Sequence, residues 1–202
     1  MFTGLVETQA ALFEVIAEPA GKRLTLARPH LFDDCRLGDS IAINGCCLTI
    51  VQLDDQRMHF QAGEETLSRT TLGRQRVGAL LNCERATRLG DRIGGHLVSG
   101  HIDAVGTVSN RVDDDEWTKI FFSPPPPLLR QMVSKGSIAV DGTSLTLVDV
   151  TDTEFSVALI PHTLEVTTLG RLRVGDEVNL ETDLLAKYVQ RQLETACLAG
   201  QG

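Results

Sequence analysis

The chain is poor in aromatic rings and in positive charge. Of its 202 residues one is Trp and one is Tyr, and 19 Lys and Arg stand against 27 Asp and Glu, a formal net charge of -8. A groove for single-stranded nucleic acid needs basic walls and rings on which bases stack, so that class is disfavoured, as is an anionic membrane surface. No apolar run approaches the roughly 20 residues a membrane-spanning helix requires. The start, Met1-Phe2-Thr3-Gly4, lacks the basic and apolar regions of a secretion signal, and we expect a cytoplasmic protein. Five cysteines, odd in number and without CxxC spacing, argue against a disulfide framework and against a thiolate metal site. Adjacent Cys46 and Cys47 would bridge each other only under heavy strain. No GK[ST] follows Gly94-Gly95, so a phosphate-cradling loop is excluded as well.

What the chain does have is an internal duplication. Shifted by 97 positions, Ser40–Thr49 falls on Ser137–Thr146 and Thr70–Arg74 on Thr167–Arg171, with about 20 of the 45 positions from Ser40 to Glu84 identical. So long and faithful a period reads as a repeated domain rather than a solenoid unit. The copies also align at their starts, where Thr3-Gly4 matches Ser99-Gly100 at a shift of 96. We expect one domain over 1–96, a second over 97–183, and a tail over 184–202. The divergences are informative. Asn44 faces Asp141, and Cys46-Cys47 faces Thr143-Ser144, inside a preserved frame. Two equivalent pockets with different polar groups would suit two similar ligands given different tasks.

Short apolar-alternating runs closed by turn residues predict strands over Ser40–Ile43, Leu48–Leu53, Met58–Gln61 and Val77–Cys83. The second copy repeats them over Ile138–Val140, Leu145–Val150, Glu154–Ile160 and Glu177–Glu181. Many short strands at regular spacing suggest an all-β antiparallel barrel, which also removes exposed sheet edges. The recurring Thr-Leu-x-x-Thr-Thr predicts helical turns over Glu65–Thr70 and His162–Thr167. Ala86–Gly95 reads as a polar linker and Pro124–Pro127 as a stiff surface loop. After Asp183 the pattern changes: Leu185, Tyr188, Val189, Gln192, Leu193 and Ala196 share one face at helical spacing. That helix packs either on its own barrels or on copies of itself, and we favour association between copies.

Among residues able to do chemistry, His96 and His101 are not spaced as a helical metal pair. His101, at the opening of the second copy, suits a proton carrier because imidazole titrates near neutral pH. Cys47 and Ser144 occupy matched positions, each followed by Leu-Thr. They are either small residues closing a barrel turn or the marks of two related pockets, one with a thiol and one with a hydroxyl. Keeping Leu-Thr while changing the residue before it favours the second reading. By composition alone Lys135 is a solvated surface group.

Taken together, Met-Phe-Thr-Gly, Asn-Gly-Cys-Cys-Leu-Thr, Gly-Gly-His-Leu-Val-Ser-Gly-His and Lys-Gly-Ser-Ile-Ala-Val-Asp-Gly-Thr-Ser-Leu-Thr resemble the riboflavin synthases of the alpha-chain type across essentially the whole chain. The resemblance implies two six-stranded Greek-key barrels in tandem and a carboxy-terminal helix that holds a homotrimer. It implies dismutation of two molecules of 6,7-dimethyl-8-ribityllumazine, one giving a four-carbon unit to the other, with no metal or redox cofactor. The paired sites then lie between the amino-terminal barrel of one subunit and the carboxy-terminal barrel of its neighbour. By the same resemblance Cys47 lies near the acceptor ring and Ser144, Thr146 and His101 near the methyl group that loses a proton. Lys135 and Asp183 assist proton traffic or position the ribityl chain, and Phe2 closes the site at the subunit boundary.

The repeat extends the pocket. Cys47, Leu48 and Thr49 match Ser144, Leu145 and Thr146, while Gly4, Leu5 and Val6 match Gly100, His101 and Ile102. Gln61, Ala62, Gly63, Glu64, Glu65 and Thr66 match Ala158, Leu159, Ile160, Pro161, His162 and Thr163. These segments are expected to read the substrate with backbone amides, carbonyls and hydroxyls. His162 and Glu64 depart from the family pattern, which touches recognition of the ribityl chain and not the reaction class. The rival readings are a lumazine protein, which binds one such ligand without chemistry, and an oligonucleotide-binding barrel. Presence of both Cys47 and Thr146 weighs against the first and the acidic charge against the second. The resemblance leaves a lumazine synthase shell around the trimer open as a further partner.

Overall fold

The computed structural model describes residues 1–114 and 116–199. Among these residues twelve strands form two closed antiparallel barrels of six. The first contains β1 (Thr8–Glu18), β2 (Gly21–Ala27), β3 (Ser40–Ile43), β4 (Cys46–Leu53), β5 (Arg57–Gly63) and β6 (Leu80–Arg85). It closes in the order β1-β2-β5-β4-β3-β6, the crossed connection of a Greek key. The second contains β7 (Ala104–Asp113), β8 (Thr118–Ser123), β9 (Ser137–Val140), β10 (Thr143–Val150), β11 (Phe155–Leu159) and β12 (Glu177–Thr182), and closes in the same order. Four α-helices, α1 (Glu64–Arg69), α2 (Pro126–Leu129), α3 (Pro161–Val166) and α4 (Leu184–Ala199), and three short 3-10 turns complete the described fold. None of the described helices is long and apolar enough to cross a membrane.

Period-two patterning fills each barrel. In β5 Met58, Phe60 and Ala62 are buried and alternate with Arg57, His59 and Gln61. Phe60 joins Leu24, Leu26, Phe32 and Ile50 in the first core. In the second, Phe122 and Phe155 stack with ring centroids 5.3 Å apart, among Ile120, Val157 and Leu159. Burial of each such side chain contributes about 1.5–3 kcal/mol.

The expected fold class holds, while several boundaries move. β4 and β10 begin two residues earlier than expected, at Cys46 and Thr143. Val77–Ala79 belongs to a turn and β6 starts only at Leu80, because Gly78 N donates to Leu12 O and Leu12 N to Ala79 O across the barrel mouth. Pro124–Pro127 is not all loop: Pro126 opens α2, where its fixed φ and missing N–H are harmless. The helical turns start one residue earlier than expected, at Glu64 and Pro161. Four strands, β1, β2, β7 and β8, had not been assigned from the sequence. The last three residues of the expected 184–202 tail lie outside the described residues.

Most of the repeated motifs build the seam between barrels. The Asn44-Gly45 and Asp141-Gly142 turns have positive φ at both residues, 44° and 78° in each, and pack back to back. A Cβ on Gly45 would come within 2.7 Å of Gly142 N, and one on Gly142 within 2.6 Å of Gly45 N. Asn82 Nδ2 donates to Asp141 O at 2.9 Å, and Asn179 Nδ2 to Asn44 O at 2.9 Å. Their Oδ1 atoms accept from Thr168 N at 2.8 Å and Thr71 N at 2.7 Å. The bonds come in matched pairs, so the two barrels are related by a pseudo-two-fold. Thr70 and Thr167 close α1 and α3, each hydroxyl donating to the carbonyl four residues back at 2.7 Å.

Candidate active site

Two short straps cross the seam. Phe2 and Val98 exchange backbone bonds at 2.8 and 3.0 Å, which fixes the straps side by side. Glu84, buried, accepts from Thr3 N, Thr3 Oγ1 and Gly4 N at 2.7, 2.9 and 3.0 Å. Glu181 accepts from Ser99 N, Ser99 Oγ and Gly100 N at 2.7, 2.7 and 3.0 Å. Thus each strap is anchored to its own barrel. It then lies on the other one: Cys47 N donates to Gly100 O at 2.9 Å, and Ser144 N to Gly4 O at 2.7 Å. Gly4 and Gly100 have φ of +74° and +83°, and a Cβ would come within 2.6 Å of Ser144 Cβ or 2.5 Å of Cys47 Cβ. Only glycine allows this approach.

The strap over the first barrel makes an open groove of about 400 Å³, with Cys47, Thr66 and Arg69 on one side and His101, Ile102 and Asp103 on the other. Cys35, Cys46, Cys47 and Cys83 are free thiols. Burial first of all, then Cys47 and Glu181, pushes the Cys46 thiol up to about 12, and burial pushes Cys83 up to about 12. Those two are inert as nucleophiles at neutral pH. Cys47 is half-buried and opens to the groove.

The second barrel presents Ser144, whose Oγ is 2.7 Å from His96 Nδ1, the donor being set by the tautomer. His96 N donates to Thr3 O at 3.1 Å. Burial lowers the His96 pKa, against the opposing pull of Asp183 and Glu181, so the ring is neutral near pH 7. Its Nε2 is buried with no partner among the described residues, a position open to a ligand's polar atom. A Cβ on Gly95 would come within 2.1 Å of Thr3 O and 2.8 Å of Ser144 Cβ, which explains the glycine before this histidine. The sequence reading had set His96 aside as a poor metal ligand. Its partner is 48 residues away, and Gly94-Gly95 was the only local signal of a close approach.

Within the single chain the other expected residues are placed as follows. His101 had been grouped with Ser144 and Thr146; within the chain it lies with Cys47, and His96 takes the place beside Ser144. Phe2 is buried between the barrels with Ala42, Val98 and Ala139, against Cys47. Leu48, Ala62 and Leu159 point into barrel cores, leaving only their backbone for recognition. Asp183 accepts from Leu185 N at 3.0 Å and caps α4. Lys135 is exposed, in left-handed conformation (φ 69°), with its amide donating to Leu147 O, and it does not line the Cys47 groove. Gln61 Nε2 donates to Glu18 at 2.7 Å. Glu65 is exposed and lines the Cys47 groove; Thr49, Gly63 and Glu64 on the first barrel and Thr146, Ala158, Ile160, Pro161 and His162 on the second are exposed, Val6, Leu145 and Thr163 are half-buried, and Leu5 is exposed.

One fold used twice, with the strap of each copy laid on the other, invites comparison with known proteins. The lumazine binding domain model matches twice, over residues 3–86 and 99–183. The riboflavin synthase of Mycobacterium bovis is 44% identical over 200 residues, covering 97% of this chain and 100% of that protein. This chain belongs to the riboflavin synthase family. The Escherichia coli riboflavin synthase is 40% identical over 201 residues, covering 98% of this chain and 94% of its own. Among solved structures, LumP complexed with riboflavin superposes with a TM-score of 0.83 at 26% identity, covering 90% of this chain and 99% of that chain. In this family the duplicated barrel is the lumazine-binding unit, and the straps make each copy complete only with a segment of the other.

Proposed function

We propose that this chain catalyses the riboflavin synthase reaction, converting two molecules of 6,7-dimethyl-8-ribityllumazine to riboflavin and 5-amino-6-ribitylaminouracil. The observation that carries this reading is that matched positions of the two copies carry unlike chemistry, Cys47 with His101 in a groove on the first barrel and Ser144 with neutral His96 on the second. Two copies of one substrate require two similar sites, and donor and acceptor roles require the sites to differ. The substrate's 7-methyl group is acidic because its carbanion is delocalised into the ring system. The protein therefore has to orient two heterocycles, move protons and supply a nucleophile. A Cys47 thiolate, or a water held beside it, adds at the acceptor ring. The Ser144–His96 pair holds a neutral imidazole beside the donor, in a protonation state able to accept a proton.

The Cys47 groove is lined by neither Ser144 nor His96. This favours reacting sites formed between the first barrel (1–96) of one subunit and the second (97–183) of its neighbour. The segment 184–202 then serves assembly. Leu185, Tyr188, Val189 and Leu193 on α4 are 58–68% exposed, an apolar stripe suited to a homotrimer core. Lys135 and Asp183, away from the Cys47 groove in their own chain, are candidates to reach a neighbour's groove. The test is incubation of desalted, chelator-treated protein with the lumazine alone. Riboflavin should accumulate without added cofactor. Turnover that returns only with a divalent metal overturns the mechanism, and lumazine binding without turnover identifies a carrier of the LumP kind.

A further inference from the structure

Each strap ends in an acidic residue just before its barrel begins, Glu7 before β1 and Asp103 before β7. Their amides make equivalent bonds, Glu7 N to Cys83 O at 3.0 Å and Asp103 N to Leu180 O at 2.9 Å. Their carboxylates accept from equivalent amides at the end of the sixth strand, Arg85 N at 2.8 Å and Thr182 N at 2.9 Å. The copies then part. In the first, the residue at that strand end supplies the cation: Arg85 Nε and Nη2 donate to Glu7 at 3.0 and 2.6 Å. In the second, the same place holds Thr182, a neutral hydroxyl 3.1 Å from Asp103. The cation comes instead from outside the duplicated unit. Lys187 Nζ, on α4, is 2.7 Å from Asp103 Oδ1, the two side chains being 25% and 21% exposed. A second link runs parallel, with Thr182 Oγ1 2.6 Å from Gln131 Oε1 and Gln131 Nε2 donating to Gln190 of α4 at 2.7 Å.

This geometry matters for the Cys47 groove. Gly100 is held by Glu181 and by Cys47 N, and Asp103 by β12 and Lys187. Between these anchors lie only His101, whose amide donates to Ser99 Oγ at 3.3 Å, and Ile102, packed on the edge of the first core, both lining the groove. We propose that Lys187 is a positioning residue, clamping Asp103 so that His101 and Ile102 are held over Cys47, and that α4 is thereby part of the catalytic groove as well as an assembly element. The inference rests on the reading of the Cys47 groove as a reacting site. Lys187 touches no substrate and acts through Asp103. A slack of about 1 Å in the imidazole is enough to cost rate on the order of a hundredfold, because the reaction depends on orientation.

The experiment compares full-length Lys187→Met, Lys187→Arg and Asp103→Asn with the parent. It measures assembly mass, kcat and KM for the lumazine, and hydrogen exchange at the His101 and Ile102 amides. For Lys187→Met and Asp103→Asn the expected result is unchanged assembly, a kcat reduced roughly tenfold or more with a smaller change in KM, and faster exchange at the two amides. Lys187→Arg should restore most of kcat. Unchanged kcat and exchange in a folded Lys187→Met overturns the proposal, and so does a lower melting temperature with unchanged kcat, which would make the pair merely structural. If Lys187→Met does not fold, Lys187→Gln is judged by the same outcomes. His101→Ala separates the two levels. An active His101→Ala means the reading of the groove is at fault, whereas an inactive one beside a fully active Lys187→Met refutes the clamp alone.

Discussion

Asp141 is the residue at which the two halves of the seam differ most in chemistry. Its carboxyl is buried and accepts from Asn179 N at 2.8 Å; burial pushes its pKa up to about 7 despite that bond. In the unfolded chain the group ionises in the ordinary carboxylate range, so over roughly pH 4 to 7 the folded state retains a proton that the unfolded state releases. The stability this confers is complete below the unfolded pKa and is lost as pH rises through the folded one. The first copy avoids the ionisation with Asn44, whose Oδ1 accepts from Asn82 N at 2.7 Å. Asp141→Asn is therefore expected to flatten the pH dependence over that window. At pH 8 it should add on the order of 4 kcal/mol to stability. Urea unfolding at a series of pH values measures this. A parent protein equally stable at pH 5 and pH 8 would contradict a buried carboxyl with a raised pKa at the seam.

Among the elements, α4 combines an exposed apolar stripe with a polar edge bound to the second barrel. Leu185 and Val189 lie on the stripe and Lys187 and Gln190 on the edge, so the two roles can be separated by mutation. Leu185→Glu with Val189→Glu places charge on the stripe while keeping the Asp103 clamp. The expected outcome in sedimentation is a single-chain mass, with residual activity of a few per cent or less. A fully assembled, fully active double variant would show that the stripe is not the contact. Deleting Leu184–Gly202 is the poorer test, because it removes the clamp and the Asp183 cap along with the stripe.

For the whole molecule the question is whether Cys47 and Ser144 serve one site, since the Cys47 groove is lined by neither Ser144 nor His96. If reaction occurs between a first barrel and a neighbour's second barrel, Cys47→Ser and Ser144→Ala damage opposite halves of each site. Each variant alone should lose at least about 90% of turnover, since each removes the reactive group of its half. Co-expressed at equal amounts, they should regain activity in roughly a quarter of the sites, those pairing an intact first barrel with an intact second one. Activity in the mixture equal to the average of the two variants would mean that each site belongs to a single chain.

The 97-residue repeat, the turns at Asn44-Gly45 and Asp141-Gly142, the matched Cys47 and Ser144 and the amphipathic stretch after Asp183 were legible in the linear chain, since each is a local pattern or a comparison of the chain with itself. β1 was not, in part because the register shift between Leu12 and Glu14 breaks the period of two within it. Pro126 was taken for loop because a proline run looks the same whether or not its last members open a helix. Why Asn82, Asn179, Thr71 and Thr168 repeat was equally hidden, for their partners lie in the other barrel. The same cause decided the site. The straps cross from one barrel to the other, so His101 joins Cys47, 54 positions earlier, and His96 joins Ser144, 48 positions later. Sequence fixes which side chains are available and that they come in two sets. Which histidine serves which set follows from backbone bonds and glycine contacts across the seam, interactions between distant segments that leave no periodic trace in either one.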